Sequence, residues 1–171
     1  MKAIAEWIWI AAGVIAGLII FSIAQNQIYQ LNIATIEQRS LEQFYEVRNI
    51  INNLCWSFVG NTREYTLNLG ESVEGIYASR DKYTEYKRDE LIGSISKGKI
   101  SEGNFLCIKI RNKRLRCEEL ECNATIPFVG SLPIEFSLSA LVNKLLGKGE
   151  TFTYELVFNR TVELVAVNKK I

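Results

Sequence analysis

The sequence has no histidine, only two aspartates (Asp81 and Asp89), two prolines and one methionine in 171 residues. Without histidine there is no Ser-His-Asp or Cys-His nucleophile system, no imidazole general base and no His-ligated metal site. A Gly-rich phosphate loop of the Walker or dinucleotide-binding kind is also missing. Nor does one sign of charge prevail. Twenty Lys+Arg against 19 Asp+Glu leave a net charge of +1, so no global field draws the chain to nucleic acid or acidic polymers. The expectation is a non-enzymatic protein with no cofactor and no nucleic-acid partner. Its length suits one medium domain plus an anchor.

Charge is also missing locally. Lys2 and Glu6 are the only charged side chains before Glu37, which leaves residues 7–36 as an uncharged run of 30. Within it, Trp7–Ala24 (WIWIAAGVIAGLIIFSIA) would span roughly 27 Å as a helix, close to the ~30 Å of a hydrocarbon core. Trp7 and Trp9 at its start and Tyr29 past its end suit the two interfaces. A secretory signal cut after Ser22-Ile23-Ala24 competes with this reading. The n-region of Met-Lys, the acid that follows it and an apolar run beyond the usual ~7–15 residues favour a retained anchor.

The positive-inside rule is nearly silent, because Lys2 is the only cationic side chain before the span. Two sequons, at Asn123 and Asn159, and four cysteines, Cys55, Cys107, Cys117 and Cys122, all follow it. An even cysteine count without a CxxC or zinc-ribbon spacing suggests two disulfides in an oxidising exterior. The expectation is therefore N-terminus in and body out: membrane-anchored with an extracellular domain, or an extracellular filament.

Three segments are expected: an apolar membrane or filament-core helix over 1–25, an amphipathic helical stalk over 26–60, and a β-rich domain over 61–171. From Gln25 to Phe58 there is neither proline nor glycine, and Leu41, Phe44, Val47, Ile51, Leu54 and Phe58 recur at helical spacing, with Gly60 as the stop. A continuous helix and two helices bent at Gln25–Asn32 both satisfy the pattern. After Gly60, Arg63–Leu69, Val73–Ser79, Leu91–Ser96, Phe105–Arg111 and Arg114–Leu120 read as strands. A four-residue loop Arg111–Arg114 would set Ile110 against Leu115 and Ile108 against Cys117, which disfavours a Cys107–Cys117 bond. A one-residue shift reverses that, so all three cysteine pairings stay open. A short helix is expected over Leu138–Leu145, between Ser137 and Gly147. Strands Thr151–Phe158 and Thr161–Val167 then flank a two-residue turn at Asn159-Arg160, and their diluted alternation suggests cover on both faces. The fold class is α+β: a long N-terminal helix, a mostly antiparallel β domain, and one short helix.

Three polar stretches are candidates for chemistry. Lys82–Glu90 (KYTEYKRDE) reads as a solvated turn rather than a recognition loop, and Arg111–Arg116 as a basic tip that keeps a hairpin soluble. Cys117–Cys122 (CEELEC) lacks the alternating ligands and central glycine of a calcium loop. The anchor is more informative. Gly13 and Gly17, with Ala12 and Ala16 one step around, form small-xxx-small patterns that let helices approach closely in lipid. Glu6 sits one residue before the apolar run, where an unpaired carboxylate is costly unless a neighbour's cation meets it.

The segment KAIAEWIWIAAGVIAGLIIFSIA, the amphipathic continuation and the cysteine-bearing β-rich body resemble the archaeal type IV pilin-like proteins. In that family a glutamate is the fifth residue of the mature chain, a place Glu6 takes once Met1 is removed. The resemblance implies a structural subunit, extracted from the membrane, that packs its apolar helix in a filament core as a homo-oligomer and displays a β-rich head. Glu6, Gly13 and Gly17 become assembly residues. The departure is that no basic leader ending in a prepilin-peptidase glycine precedes Lys2. That keeps a second expectation in view, an anchored stator-like or accessory subunit whose β domain binds an envelope partner or surface ligand.

Overall fold

The computed structural model describes residues 2–131 and 151–170, with side chains from Trp9 onward. Lys2–Cys55 is one uninterrupted helix, α1, of 54 residues, about 81 Å long at 1.5 Å per residue. Of the two alternatives the continuous one is adopted, as expected of a stretch with no proline or glycine between Leu18 and Val59. Ser22 and Thr35 direct their hydroxyls back to the Leu18 and Leu31 carbonyls, so neither needs a solvent partner.

Six strands form one sheet: β1 (Thr62–Gly70), β2 (Val73–Ser79), β3 (Ile100–Ile110), β4 (Arg116–Pro127), β5 (Thr151–Arg160) and β6 (Val165–Lys169), in the order β1-β5-β6-β4-β3-β2. Every pairing is antiparallel except β4 with β6. The second half of α1 lies across one face. Phe44, Val47, Ile51 and Leu54 are buried there against Leu67, Leu69, Leu106, Ile108, Leu156 and Phe158, the i, i+3/i+4 stripe meeting the period-two faces of the strands. A short helix, α2 (Arg88–Ser96), covers part of the other face, where Leu91 and Ile95 meet Tyr77, Cys107 and Phe128. Double cover thus falls on β2 and β3; β5 alternates buried Tyr154, Leu156 and Phe158 with exposed Thr153 and Glu155.

Side chains of α1 also satisfy backbone groups that the strand ladder leaves open. The Gly70 and Asn68 amides donate to Ser40 Oγ (3.0 Å) and Gln43 Oε1 (2.5 Å). The Glu121 amide donates to Asn52 Oδ1 (3.1 Å), and Arg48 Nε donates to the Glu119 carbonyl (3.2 Å). These bonds cover the free edge of β1 and the stretch of β4 beyond its short pairing with β6. Gly70 is required for this approach, because a Cβ there would stand 2.2 Å from Ile36 Cγ2.

Five expectations are corrected. First, α1 stops at Cys55, not Phe58. Ser57 folds back, its amide and hydroxyl both bonding the Leu54 carbonyl, so Phe58 points into solvent at 92% exposure. Gly60 (φ 86°) turns the chain into β1 instead of capping the helix. Second, Leu91–Ser96 is helical within α2. The Lys87 amide donates to Glu90 Oε2, Asp89 and Glu90 occupy the first turn, and Leu91 and Ile95 share one face. Third, the β3–β4 loop has five residues, Arg111–Leu115. Asn112 takes a left-handed φ of 59° in a turn closed by the Lys113 amide on the Ile110 carbonyl, and Leu115 leaves the ladder to pack beside α2's cluster. Fourth, the resulting one-residue shift sets Cys107 opposite Cys117 and makes their disulfide possible. Fifth, Asn159-Arg160 is no turn. β5 runs through it, pairing Asn159 with Thr62 and Ala166, and the reversal comes at Thr161–Leu164. The helix expected over Leu138–Leu145, with Ser137 and Gly147, lies outside the described residues.

Candidate functional site

From Trp9 to Ile28 α1 stands clear of the head, and Tyr29 makes its first contact, with Glu71. Every aliphatic side chain larger than alanine there is more than half exposed, as are Trp9 and Phe21. The exposed apolar groups lie on all sides of the helix, the pattern of a helix whose surroundings are not water. This N-terminal stretch is long and apolar enough to cross a membrane. On it, Gly13 and Gly17 are one turn apart, and a Cβ at either would meet nothing within 4 Å. Glu6 belongs to the same helix. At 3.6 residues per turn, positions 6, 13 and 17 fall within about 40° of one another around the axis, so the three positions share a face.

Two disulfides close the head among the described cysteines. Cys55–Cys122 ties the last residue of α1 to β4 across a separation of 67 residues, and Cys107–Cys117 crosses β3 and β4 with Cα atoms 4.1 Å apart. Both suit an oxidising, extracellular setting. The sequons differ in access. Asn123 is exposed on β4, whereas Asn159 lies inside β5 between two paired strands, with its Oδ1 buried and unpartnered.

Contacts along α1 give the head a direction. Tyr29 reaches Glu71, Glu37 pairs with Lys113, Tyr45 accepts from Arg116 (3.0 Å), Asn52 accepts from Glu121, and Cys55 meets Cys122. The β1–β2 and β3–β4 turns are thus the foot of the head, nearest the stem, and the end of α1 is its tip. At the tip, Trp56, Phe58, Val59 and Val162 are between 60% and 92% exposed. They are carried on two turns joined by backbone bonds between Gly60 or Asn61 and Arg160. Trp56 also donates its indole N–H to Glu121. Sequence reasoning missed this patch because Phe58 fits the helical stripe, and only the early stop at Cys55 releases it.

Near the foot, the basic turn Arg111–Arg116 and the Lys82–Glu90 stretch, read separately as solvated surface, meet around a cleft of about 560 Å³. Lys82, Tyr83, Lys113, Arg114 and Arg116 line it, with Leu41 of α1. The turn does more than stay soluble, because Lys113 and Arg116 hold it to α1. Beneath α2, Tyr77 is fully buried, donates to the Thr84 carbonyl (2.8 Å) and packs edge-on against Tyr86. Burial pushes its phenol up to about 12. Burial likewise raises Tyr154, which donates to the Gly130 carbonyl, and raises Tyr65, helped by its bond to Glu46. These phenols stay neutral and act as packing and hydrogen-bonding groups.

Among the described residues, no group of three or more Cys, Asp or Glu side chains is placed to hold a metal ion. No known protein family, curated protein or solved structure shows detectable similarity to this chain.

Proposed function

We propose that the protein is a structural surface subunit, not an enzyme: a membrane-inserted chain whose apolar stem packs with copies of itself into a pilus-like filament that displays the β-rich head. The observation that carries this is the stem, from Trp9 to Ala24, apolar on all sides and standing clear of its own domain. Lipid satisfies such a surface before assembly; neighbouring stems satisfy it afterwards. Gly13 and Gly17 would supply the close approach, and Glu6, at a position on their face, is the only acidic residue before Glu37. The fit to archaeal type IV pilin-like proteins rests on this stem and on the head's α+β build.

A second reading is supported by the exposed tip. Trp56, Phe58, Val59 and Val162 offer an apolar surface at the far end of the head, as expected of an anchored subunit that binds an envelope protein while its stem stays in lipid. Electron microscopy of material sheared from native cells, with the protein's N-terminus read by mass spectrometry in the same fraction, separates the two. Filaments containing the chain support the first reading, and Glu6→Ala or Gly13→Leu then abolishes polymer while the head stays folded. Recovery only from detergent-solubilised membranes overturns it in favour of the second.

A further inference from the structure

We propose that the basic cleft at the foot of the head docks on the acidic end of β4 in a second copy of this chain, and that this contact sets the axial stagger between neighbouring stems. The inference rests on the self-assembly reading above. Three stretches with no role in that reading, KYTEYKRDE, RNKRLR and CEELEC, become its two complementary faces.

The cleft holds Lys82, Lys113, Arg114 and Arg116 against one lining carboxylate, Glu85, which already pairs with Lys109. Lys113 is engaged with Glu37 and Arg116 with Tyr45, whereas Arg114 has no partner among the described residues and Lys82 has only the neighbouring Tyr83 ring. On β4, Glu118, Glu119 and Glu121 follow within four positions. Glu121 accepts from Trp56, and the carboxylates of Glu118 and Glu119 have no partner among the described residues. One copy thus carries unpaired cations at its foot and unpaired carboxylates higher up.

The contacts along α1 fix the two heights. The cleft reaches down to Leu41, and the Glu119 carbonyl is held by Arg48. At 1.5 Å per residue these levels are roughly 10 Å apart along the helix. Within one copy neither Lys82 nor Arg114 meets Glu118 or Glu119 among the described residues, while two parallel copies offset by that distance bring foot against β4. An anionic lipid surface is the poorer occupant. Leu41 is about 25 Å beyond Ala24 at the end of the apolar run, past a headgroup layer of ~6 Å and a Debye length of ~8 Å.

Apolar stems and small-xxx-small faces hold helices together but tolerate several axial registers, because lipid-like contacts repeat each turn. Exposed ion pairs add little affinity, yet opposed charges on rigid bodies select register and penalise wrong ones. The heads are rigidly fastened to α1 by the Ile36–Cys55 contacts and the Cys55–Cys122 bond, so register chosen by the heads is imposed on the stems.

The test uses the full chain in zwitterionic vesicles, as a mixture of isotopically light and heavy copies, with a photoreactive benzophenone at Tyr83 or, separately, at Val14. The expected result is light–heavy cross-links from position 83 to the Glu118–Glu121 peptide, several-fold weaker at about 1 M than at about 0.15 M salt. Arg114→Glu and Glu119→Lys each abolish them, and the double exchange restores them. Both side chains are exposed, and near-ultraviolet circular dichroism checks that the head remains folded. Cross-links between stems at position 14 without any between heads overturn the docking inference and leave stem assembly standing. Absence of both overturns both. Capture of lipid at position 83 assigns the cleft to the membrane instead and overturns the second-copy contact.

Discussion

Replacing Cys55 and Cys122 together by serine removes the covalent tie between the end of α1 and β4, and leaves Cys107–Cys117 in place. The packing stripe of Phe44, Val47, Ile51 and Leu54 survives the change, so the native structure loses one bond and the unfolded chain gains a large loop's worth of freedom. For a separation of 67 residues the loop-closure account gives about 4.4 kcal/mol of lost stability. The equivalent exchange of Cys107 and Cys117, separated by 10 residues, gives about 2.8 kcal/mol. For a domain of this size the first loss corresponds to a fall in Tm of roughly 10–20 °C. Urea and thermal melts of the detergent-solubilised full chain measure both, read by near-ultraviolet circular dichroism of the Tyr77–Tyr86–Phe128 cluster, which lies away from the Cys55–Cys122 bond. Far-ultraviolet signal is unsuitable because α1 dominates it. The ordering is the decisive outcome. A larger loss from the Cys107–Cys117 exchange than from the Cys55–Cys122 exchange would refute the reasoning that the long closure governs stability.

Ser40→Ala removes a buried hydroxyl that donates to the Ile36 carbonyl and accepts from Gly70, leaving that amide without its partner. The expected loss is about 1–3 kcal/mol in urea midpoints, and no loss would mean α1 does not depend on that edge bond. Gly70→Ala forces a methyl into Ile36 and is expected to destabilise by about 1–3 kcal/mol, with raised hydrogen exchange in β1 as its local sign. Tyr77 binds its proton more tightly folded than unfolded, so its contribution is fully present below pH ~10 and is lost as pH rises through about 12. The stability–pH slope between those values should therefore be negative and should flatten in Tyr77→Phe; an unchanged slope would assign it to other groups. Glycan mapping is expected to find Asn123 occupied and Asn159 bare, since β5 is paired on both sides of Asn159, and a glycan on Asn159 would contradict the strand placement.

What was legible in the sequence was whatever depends on local pattern. The absence of charge over residues 7–36 marked the stem, and the spacing of Phe44, Val47, Ile51 and Leu54 marked the docking face. Val73–Ser79 agrees at both ends. What was not legible depends on how elements meet. One residue of loop length decides whether Cys107 faces Cys117, and that residue is Leu115, drawn out of the ladder by an apolar cluster built from β2, α2, β3 and Phe128 just past β4. The segment LIGSIS alternates like a strand, but Glu90 caps its start and the pocket around Tyr77 takes Leu91 and Ile95 together. Asn159-Arg160 has turn composition, yet nine consecutive pairings with β1 carry β5 through to Asn159.

The same limit applies to the surface features, whose separation depends on the direction of the head. RNKRLR and CEELEC are neighbours in sequence and look like one mixed-charge hairpin. Only the register of α1, antiparallel to β1 and parallel to β4, separates them into a foot and a higher band. That register is enforced by bonds that helix periodicity does not encode: Ser40 to Gly70, Gln43 to Asn68, Asn52 to Glu121 and Cys55 to Cys122. With them in place, a contact made by the stem at Gly13 and Gly17 is carried without slack to the head, and a contact made by the head returns to the stem. On the proposed assembly reading such stiffness has a use, in holding many copies in register, whereas a tether alone would be served by a flexible linker after Ala24.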